Sequence, residues 1–219
     1  MPNALARILL VEDDPSIRLS MSAILSESGY TLRTAEDGFS ALREIRHGMP
    51  DMLLSDLYMP GMTGFELLSV VRLRFPAIRT IAMSGAFDGD EVPTGIVADA
   101  FYPKGGGAET LLRILLTLSQ AERNCTRPSS ATAPLWVYRG VSESSPAASI
   151  TLACPECLRT SSQTLHDSAG QIQITECTYC HWPIHFAIAR SFDKHLLPIR
   201  QVISTMAEPV LIPVTQCFY

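Results

Sequence analysis

The stretch ILLVEDDPSIR (residues 8–18) decides the fold of the first half of the chain. Its leading apolar run is typical of a buried strand, and the acidic run and proline that follow are typical of the start of a helix. Three further apolar runs also end in polar residues, in LLSDLYMPGMTGFELL (53–68), TIAMSG (80–85) and ADAFYPKG (98–105). Amphipathic segments long enough for helices separate most of these runs. The pattern is therefore β-α-β and predicts a parallel sheet.

Residues that follow the carboxyl ends of parallel strands meet in one crevice, even when they are far apart in sequence. The polar residues that this rule brings together are Glu12, Asp13, Asp14, Asp56, Ser84 and Lys104. Their carboxylates, hydroxyl and ammonium can bind a hard divalent cation, offer a nucleophilic oxygen to a phosphoryl donor and neutralise the anion that forms.

Each of these residues taken singly has a simpler interpretation. Asp14 precedes Pro15 and an apolar helical periodicity, which is the usual pattern of a helix N-cap. Asp56 alone could accept hydrogen bonds from loop amides. Lys104 alone could be a solvated lysine, but it is the only lysine among the first 193 residues of a chain that otherwise uses arginine. A compact ammonium binds phosphoryl oxygens differently from a planar guanidinium, which favours a specific role for Lys104.

With these four motifs in this order, residues 5–122 resemble the receiver domain of two-component response regulators. The resemblance implies a flavodoxin-like α/β fold, a doubly wound parallel sheet of five strands. It implies that Asp56 is the phosphoacceptor, and that Mg²⁺ is bound by Glu12, Asp13, Asp56 and the backbone carbonyl of Tyr58. Phosphate oxygens would be held by Ser84 and Lys104, and the rotamer of Phe101 would follow phosphorylation. By the same resemblance the chain is a phosphoacceptor signalling protein rather than an enzyme, and its phosphodonor is a sensor histidine kinase or a phosphotransfer protein.

The periodicities predict strands at 6–11, 30–34, 51–55, 78–83 and 99–102, and helices at 15–28, 37–47, 64–74 and 108–121. The fourth helix of a receiver would fall between Ser84 and Asp99. Here that segment contains Gly85, Gly89, Pro93 and Gly95, each of which costs roughly 1 to 3 kcal/mol inside a helix. We therefore expect this helix to be short or broken.

The composition divides the chain into a receiver domain (1–123), a linker (124–149) and a C-terminal module with an extended tail (150–219). The linker is rich in Ser, Ala, Thr and Pro, but its apolar segment 135–138 is expected to dock on one of the domains as a short strand. The last receiver helix carries leucines on more than one face, including Leu112 and Leu116. We expect its outer face to pack on a second copy, another protein or the C-terminal module.

The C-terminal module contains CPEC at Cys154–Cys157 and CTYC at Cys177–Cys180, and nineteen residues separate the two pairs. This spacing is typical of a zinc site, since four thiolates suit the tetrahedral preference of Zn²⁺. The segment looks like a small β-rich zinc ribbon, in which Cys154, Cys157, Cys177 and Cys180 bind structural zinc. His181 or His185 could replace one cysteine, and a redox dithiol, a disulfide pair or a metal-free site are the alternatives. Cys125 and Cys217 have no partner spacing.

Charge separates the possible partners of the chain. Residues 1–123 carry 11 Lys and Arg against 16 Asp and Glu (net −5), and residues 124–219 carry six against six (net zero). Since nucleic-acid modules concentrate positive charge, we expect protein docking rather than nucleic-acid binding. The sequence has no signal peptide pattern and no apolar run of about 18 residues, which predicts a cytoplasmic protein that does not span a membrane.

The favoured hypothesis is a response regulator that signals to a C-terminal protein-docking module. One alternative is a transcriptional regulator that binds DNA through the ribbon, which clustering of Arg159, Arg190 and Arg200 would support. The other alternative is a receiver-like scaffold that takes no phosphate, which a displaced Ser84 or Lys104 would support.

Overall fold

The computed structural model describes residues 5–85, 98–121, 134–139, 149–164 and 172–190. The N-terminal domain is a five-stranded parallel sheet in the order β2-β1-β3-β4-β5. Its strands are Arg7–Val11 (β1), Thr31–Ala35 (β2), Met52–Asp56 (β3), Arg79–Ser84 (β4) and Ala100–Pro103 (β5). Its described helices are Pro15–Glu27 (α1), Gly38–His47 (α2), Gly64–Arg74 (α3) and Gly107–Gln120 (α4). The predicted fold class is confirmed, and each boundary lies within one residue of its predicted position.

Several expectations fall on segments outside the described residues. These are the broken fourth helix, most of the linker, the tail from residue 191 onward and the two isolated cysteines. Within the described ranges, no helix combines the length and the apolar character that crossing a membrane requires.

Side-chain alternation along the strands produces two separate cores. Successive residues of a strand point to opposite faces of the sheet, so Leu9 and Leu53 face one side while Ile8 and Leu54 face the other. The first core lies under α2 and α3, and the second includes residues of α1 and α4. Since both faces are covered, the central strands are apolar along most of their length, as is typical of parallel sheets, and their polar residues lie mainly at the strand ends.

The described part of the C-terminal module contains strands Leu135–Arg139 (β6), Ser149–Ala153 (β7), Thr160–Thr164 (β8), Gln173–Glu176 (β9) and Pro183–Arg190 (β10). Strand β10 lies between β6 and β9, parallel to β6 and antiparallel to β9. Strands β7 and β8 form an antiparallel pair. The apolar segment expected to dock from the linker is β6, and it is an edge strand of this module.

The module packs on α3 of the N-terminal domain. Strand β6 lies against α3, and Leu135, Ile150 and Leu152 belong to the same buried cluster as the α3 side of the sheet. At the end of α3, the Arg74 guanidinium lies 3.6 Å from the Glu156 carboxylate. The described strands therefore pack on α3, whereas the second apolar face expected from the sequence is that of α4.

Helix α4 nevertheless keeps one exposed leucine. Leu111, Ile114, Leu115 and Leu118 are buried against the sheet, and Leu112 is partly buried beside them. Leu116 remains 53% exposed. The outer face of α4 is therefore narrower than the sequence suggested.

Glu66 is a carboxylic acid buried in the contact between the two domains. It lies in the first turn of α3, is 2% exposed, and accepts a hydrogen bond from the backbone N–H of Ala153 in β7. Burial raises the pKa of Glu66 from 4.5 to about 8, and the Ala153 amide offsets only part of this effect. Glu66 is therefore mainly neutral at pH 7.

Glu66→Gln should change how the stability of the protein depends on pH. Folded Glu66 keeps its proton between pH 4.5 and about 8 while unfolded Glu66 loses it, so its contribution to stability falls as pH rises through this window. The stability of the variant relative to wild type should therefore increase by about 1 kcal/mol per pH unit between pH 5.5 and 7.5. Urea unfolding at several pH values measures this difference, and Glu44→Gln on the half-exposed surface of α2 is the control. Parallel pH profiles for wild type and Glu66→Gln would contradict the assignment.

Candidate functional site at the carboxyl edge of the sheet

Strand register brings the predicted site residues to one edge of the sheet. Val11 is paired with Ser55, Asp56 with Met83, and Ser84 with Pro103. Glu12 directly follows β1, Asp56 and Ser84 are the last residues of β3 and β4, and Lys104 follows β5. The crevice expected from the sequence is therefore formed by the ends of these four strands.

Lys104 joins two buried carboxylates at the centre of this edge. Its Nζ lies 2.9 Å from Oε1 and 2.7 Å from Oε2 of Glu12, and 2.8 Å from Oδ2 of Asp56. Burial alone would lower the pKa of Lys104, but the hydrogen bonds and charges of Asp56 and Glu12 outweigh it and raise this pKa above its ordinary value. The ammonium is therefore charged at neutral pH.

The acidic residues are close enough to share a cation. Glu12, Asp13 and Asp56 each place one carboxylate oxygen within 4.8 Å of those of the other two. Burial raises the pKa of Glu12, and the Asp56 charge adds to this effect while Lys104 opposes it. Three carboxylates and one ammonium sum to −2, which matches the charge and the oxygen preference of a divalent ion such as Mg²⁺.

Asp14 has a different role from its acidic neighbours. Its carboxylate accepts hydrogen bonds from the backbone N–H groups of Ser16, at 2.8 Å, and Ile17, at 3.0 Å. These bonds lower the pKa of Asp14 and cap α1. The simpler interpretation of this residue is the one that the geometry supports.

Tyr58 and Ser84 lie beside the acidic group, and Phe101 lies in the neighbouring strand β5. The backbone N–H of Tyr58 lies 3.4 Å from Oδ1 of Asp56, so the backbone of this loop runs beside the carboxylate. Ser84 is buried, and its carbonyl accepts a 2.9 Å hydrogen bond from the N–H of Lys104. Phe101 is buried in β5, on the side of the sheet that faces α3.

Comparisons with known proteins agree with this geometry. The response regulator receiver domain family matches residues 8–104. These residues form a receiver domain. The chain is 36% identical over 94 residues to the DNA-binding transcriptional regulator NtrC of Escherichia coli K12, a match that covers 43% of this chain and 20% of NtrC. It is 34% identical over 121 residues to the response regulator MprA of Mycobacterium ulcerans, a match that covers 53% of this chain and 52% of MprA.

Two solved response-regulator structures align with about half of the chain. The chemotaxis response regulator CheY4 of Vibrio cholerae aligns over 52% of this chain and 98% of its own, with 31% identity and a TM-score of 0.49. The response regulator TrrA of Thermotoga maritima, in complex with Mg(2+)-BeF, aligns over 52% and 99%, with 29% identity and a TM-score of 0.49.

Two residues that organise the receiver domain were not singled out from the sequence. The Arg18 guanidinium donates hydrogen bonds to the backbone carbonyls of Glu12, at 2.6 Å, and Asp13, at 3.3 Å. Gly64 allows α3 to begin directly beneath the phosphoacceptor candidate, because a Cβ there would overlap the carbonyl oxygen of Asp56. The spacing of Arg18 one turn after Asp14 is the only sequence signal for the first contact.

The four cysteines of the C-terminal module converge on one point. The sulfurs of Cys154 and Cys180 are 3.6 Å apart, and those of Cys157 and Cys177 are 3.7 Å apart. A tetrahedron with Zn–S bonds of about 2.3 Å has edges of about 3.8 Å, so these separations suit zinc. None of the four thiols forms a disulfide. The set of side chains close enough to share one metal ion contains these four cysteines and neither His181 nor His185.

The two cysteine turns have the same backbone geometry. In the first turn, the N–H of Leu158 donates to the carbonyl of Cys154 at 2.8 Å, and in the second the N–H of His181 donates to Cys177 at 3.0 Å. Leu158 and His181 have φ angles of 58° and 59°, in the left-handed region that favours glycine. Each cysteine pair is thus followed by a residue with a side chain, Leu158 or His181, that adopts strained left-handed backbone.

Lys104→Gln should destabilise the receiver domain because it leaves three carboxylates without their ammonium. We expect a loss of about 2 kcal/mol, as for hydrogen bonds between charged groups. Mg²⁺ should stabilise the variant more than wild type, since the cation then supplies all of the neutralising charge. Urea unfolding with and without millimolar Mg²⁺ measures both effects. Arg7→Gln, which breaks the exposed Arg7–Asp51 pair, is the control and should lose less. Equal stabilisation of wild type and Lys104→Gln by Mg²⁺ would be evidence against a shared site.

Proposed function

We propose that the chain is a two-component response regulator in which Asp56 accepts a phosphoryl group. The observation that carries this proposal is the contact of the Asp56 carboxylate with the Lys104 ammonium, 2.8 Å apart, beside the carboxylates of Glu12 and Asp13. A receiver domain implies a phosphodonor such as a sensor histidine kinase or a phosphotransfer protein. A cytoplasmic location, expected from the sequence, belongs to the same proposal.

The chemistry requires one nucleophile and several groups that balance charge. An Asp56 carboxylate oxygen attacks the phosphorus of the donor, a P–O bond forms, and the bond from phosphorus to the donor's leaving group breaks. The product is an acyl phosphate on Asp56. Glu12, Asp13, Asp56 and the Tyr58 carbonyl would hold Mg²⁺, which when bound lowers the charge repulsion between phosphoryl group and carboxylates.

Side chains around Asp56 would then bind the phosphoryl group and respond to it. Lys104 would bind a phosphoryl oxygen through an ammonium already 2.8 Å from Asp56, and the Ser84 hydroxyl would bind another from the end of the neighbouring strand. Phe101 would change rotamer in response, from its buried position in β5. These roles follow the order of the motifs in the receiver family.

Asp56→Asn should abolish phosphorylation by a small phosphodonor in the presence of Mg²⁺. An amide oxygen is a far weaker nucleophile than a carboxylate, so the acyl phosphate cannot form at this position. Intact-protein mass spectrometry should show one added phosphoryl group on wild type and none on the variant. Asp51→Asn, at the other end of β3, is the matched control and should label like wild type. An unlabelled wild type would instead favour the scaffold that takes no phosphate.

A structural zinc ion at Cys154, Cys157, Cys177 and Cys180 is the second part of the proposal. Two sulfur pairs at tetrahedral edge lengths, with all four sulfurs within 4.8 Å of one another, fit it, and four protein ligands leave no open position for catalysis. The module would then act as a rigid protein-docking element rather than as an enzyme.

Cys157→Ser should remove the zinc and expose the module to proteolysis. Losing one of four ligands removes binding energy that the small module uses to fold. Metal analysis should find one zinc ion per chain in wild type and none in the variant, and limited proteolysis should then cut within residues 149–190. Cys217→Ser, outside both cysteine pairs, should keep its zinc. Wild type free of zinc after purification without chelator would argue for a metal-free module.

DNA binding is the competing output. The name of NtrC describes it as a DNA-binding regulator, but the match covers 20% of NtrC and 43% of this chain. Residues 124–219 have net charge zero, six Lys and Arg against six Asp and Glu. Since phosphate contacts supply most non-specific DNA affinity, this charge favours docking to a protein, or to a second copy through the exposed Leu116 of α4.

A further inference from the structure

Helix α3 physically connects the phosphorylation site to the cysteine module. Its first residue, Gly64, packs against the carbonyl of Asp56, and the Gly64 N–H donates a 3.1 Å hydrogen bond to the carbonyl of Leu57. At its other end, Arg72 lies 2.7 Å from Asp99 and Arg74 lies 3.6 Å from Glu156 of the module. A movement of the loop after Asp56 therefore reaches a helix that touches both domains.

Glu66 connects α3 to the residue that precedes the first cysteine turn. Its N–H lies 3.4 Å from the Thr63 hydroxyl that caps α3, and its carboxyl accepts from the N–H of Ala153. Ala153 directly precedes Cys154. Oε1 of Glu66 is buried without a hydrogen-bond partner in the described part of the chain, which is costly for a buried polar atom. The contact is thus specific but only partly satisfied.

We propose that α3 transmits the phosphorylation state of Asp56 to the cysteine module, and that Glu66 is the positioning residue that holds the first cysteine turn through the Ala153 amide. This inference rests on the proposed function of Asp56. It assigns to the unphosphorylated protein a closed state in which the Glu66–Ala153 bond is made, and to the phosphorylated protein a state in which this bond opens.

The direction of the change follows from what surrounds Asp56. A phosphoryl group on Asp56 places new anionic oxygens beside the loop that begins with Leu57 and Tyr58, where the Tyr58 N–H now faces Oδ1. The loop adjusts, and Gly64 passes the shift to the first turn of α3. Ala153 cannot follow, because it is paired with Thr160 in the β7–β8 ladder. Packed contacts of this kind switch between discrete arrangements rather than stretch.

Hydrogen exchange at the Ala153 amide tests the proposal in the full chain. Exchange of the peptide that contains residues 150–157 is followed by mass spectrometry, with and without acetyl phosphate and Mg²⁺, and phosphorylation is measured on the same samples. We expect exchange at Ala153 to become about fivefold faster or more on phosphorylation. Comparable change throughout residues 172–190 with none at Ala153 would contradict the role of this contact.

Variants separate positioning from general packing. Glu66→Gln retains an oxygen that accepts from Ala153, so it should preserve the response to phosphorylation. Glu66→Leu removes the acceptor, so exchange should be fast in both states while the level of phosphorylation stays that of wild type. Glu109→Gln, a substitution of the first-turn acid of α4, is the matched control and should behave like wild type. The wild-type comparison and Glu66→Gln decide the matter even if Glu66→Leu does not fold.

Failure of this inference differs from failure of the proposed function. A phosphorylated wild type whose Ala153 exchange is unchanged overturns the coupling and leaves Asp56 as phosphoacceptor. A Glu66→Gln variant that is phosphorylated but loses the response overturns the role of the hydrogen bond. A wild type that takes no phosphoryl group overturns both.

Discussion

Helix α3 has no face that can be left in water, and the arrangement of the two domains depends on this constraint. Apolar residues occur on every side of the helix, and its residues from Gly64 to Val71 are all buried. A helix of this kind must be covered on both sides. The sheet covers one side, and the strands of the C-terminal module cover the other. Burial at roughly 25 cal/mol per Å² of apolar surface therefore makes the module part of the folded core rather than an appended domain.

The position of α3 also determines the geometry of the phosphoacceptor edge. The helix can start immediately after the loop from Asp56 only because Gly64 has no side chain to overlap the Asp56 carbonyl. The same close approach fixes the loop that carries Tyr58. The hydrogen bonds of Arg18 to the carbonyls of Glu12 and Asp13 fix the acidic run that follows β1. Lys104 then balances part of the negative charge that these constraints concentrate. Packing and electrostatics at this edge are thus parts of one arrangement.

Local sequence patterns were sufficient for the strands, the helices and the polar edge of the receiver domain. Strand alternation and capping residues such as Asp14 are short-range signals, and the carboxyl-edge rule converts strand ends into a site. Local patterns did not predict that the module packs on α3. Which helix face is covered depends on contacts between segments that are distant in sequence. The apolar character of α3 on every side indicates that it is covered on both sides. The leucines of α4 are an equally strong pattern, and they favoured α4 as the packing surface. Nothing in the local sequence distinguishes Glu66 from an exposed helix acid, whereas in the structure it is buried and contacts Ala153 of β7.

The two cysteine turns share a backbone geometry but not an environment. Leu158 packs against the core that the two domains share, whereas His181 is exposed and pairs with Glu176 at 3.1 Å. Left-handed backbone at a residue other than glycine persists only where its surroundings impose it. In the first turn those surroundings include the core that the two domains share. Each sulfur pair, Cys154 with Cys180 and Cys157 with Cys177, joins one thiol from each turn. The first turn is therefore the one that a displacement of α3 reaches, through the Glu66–Ala153 contact and the core around Leu158.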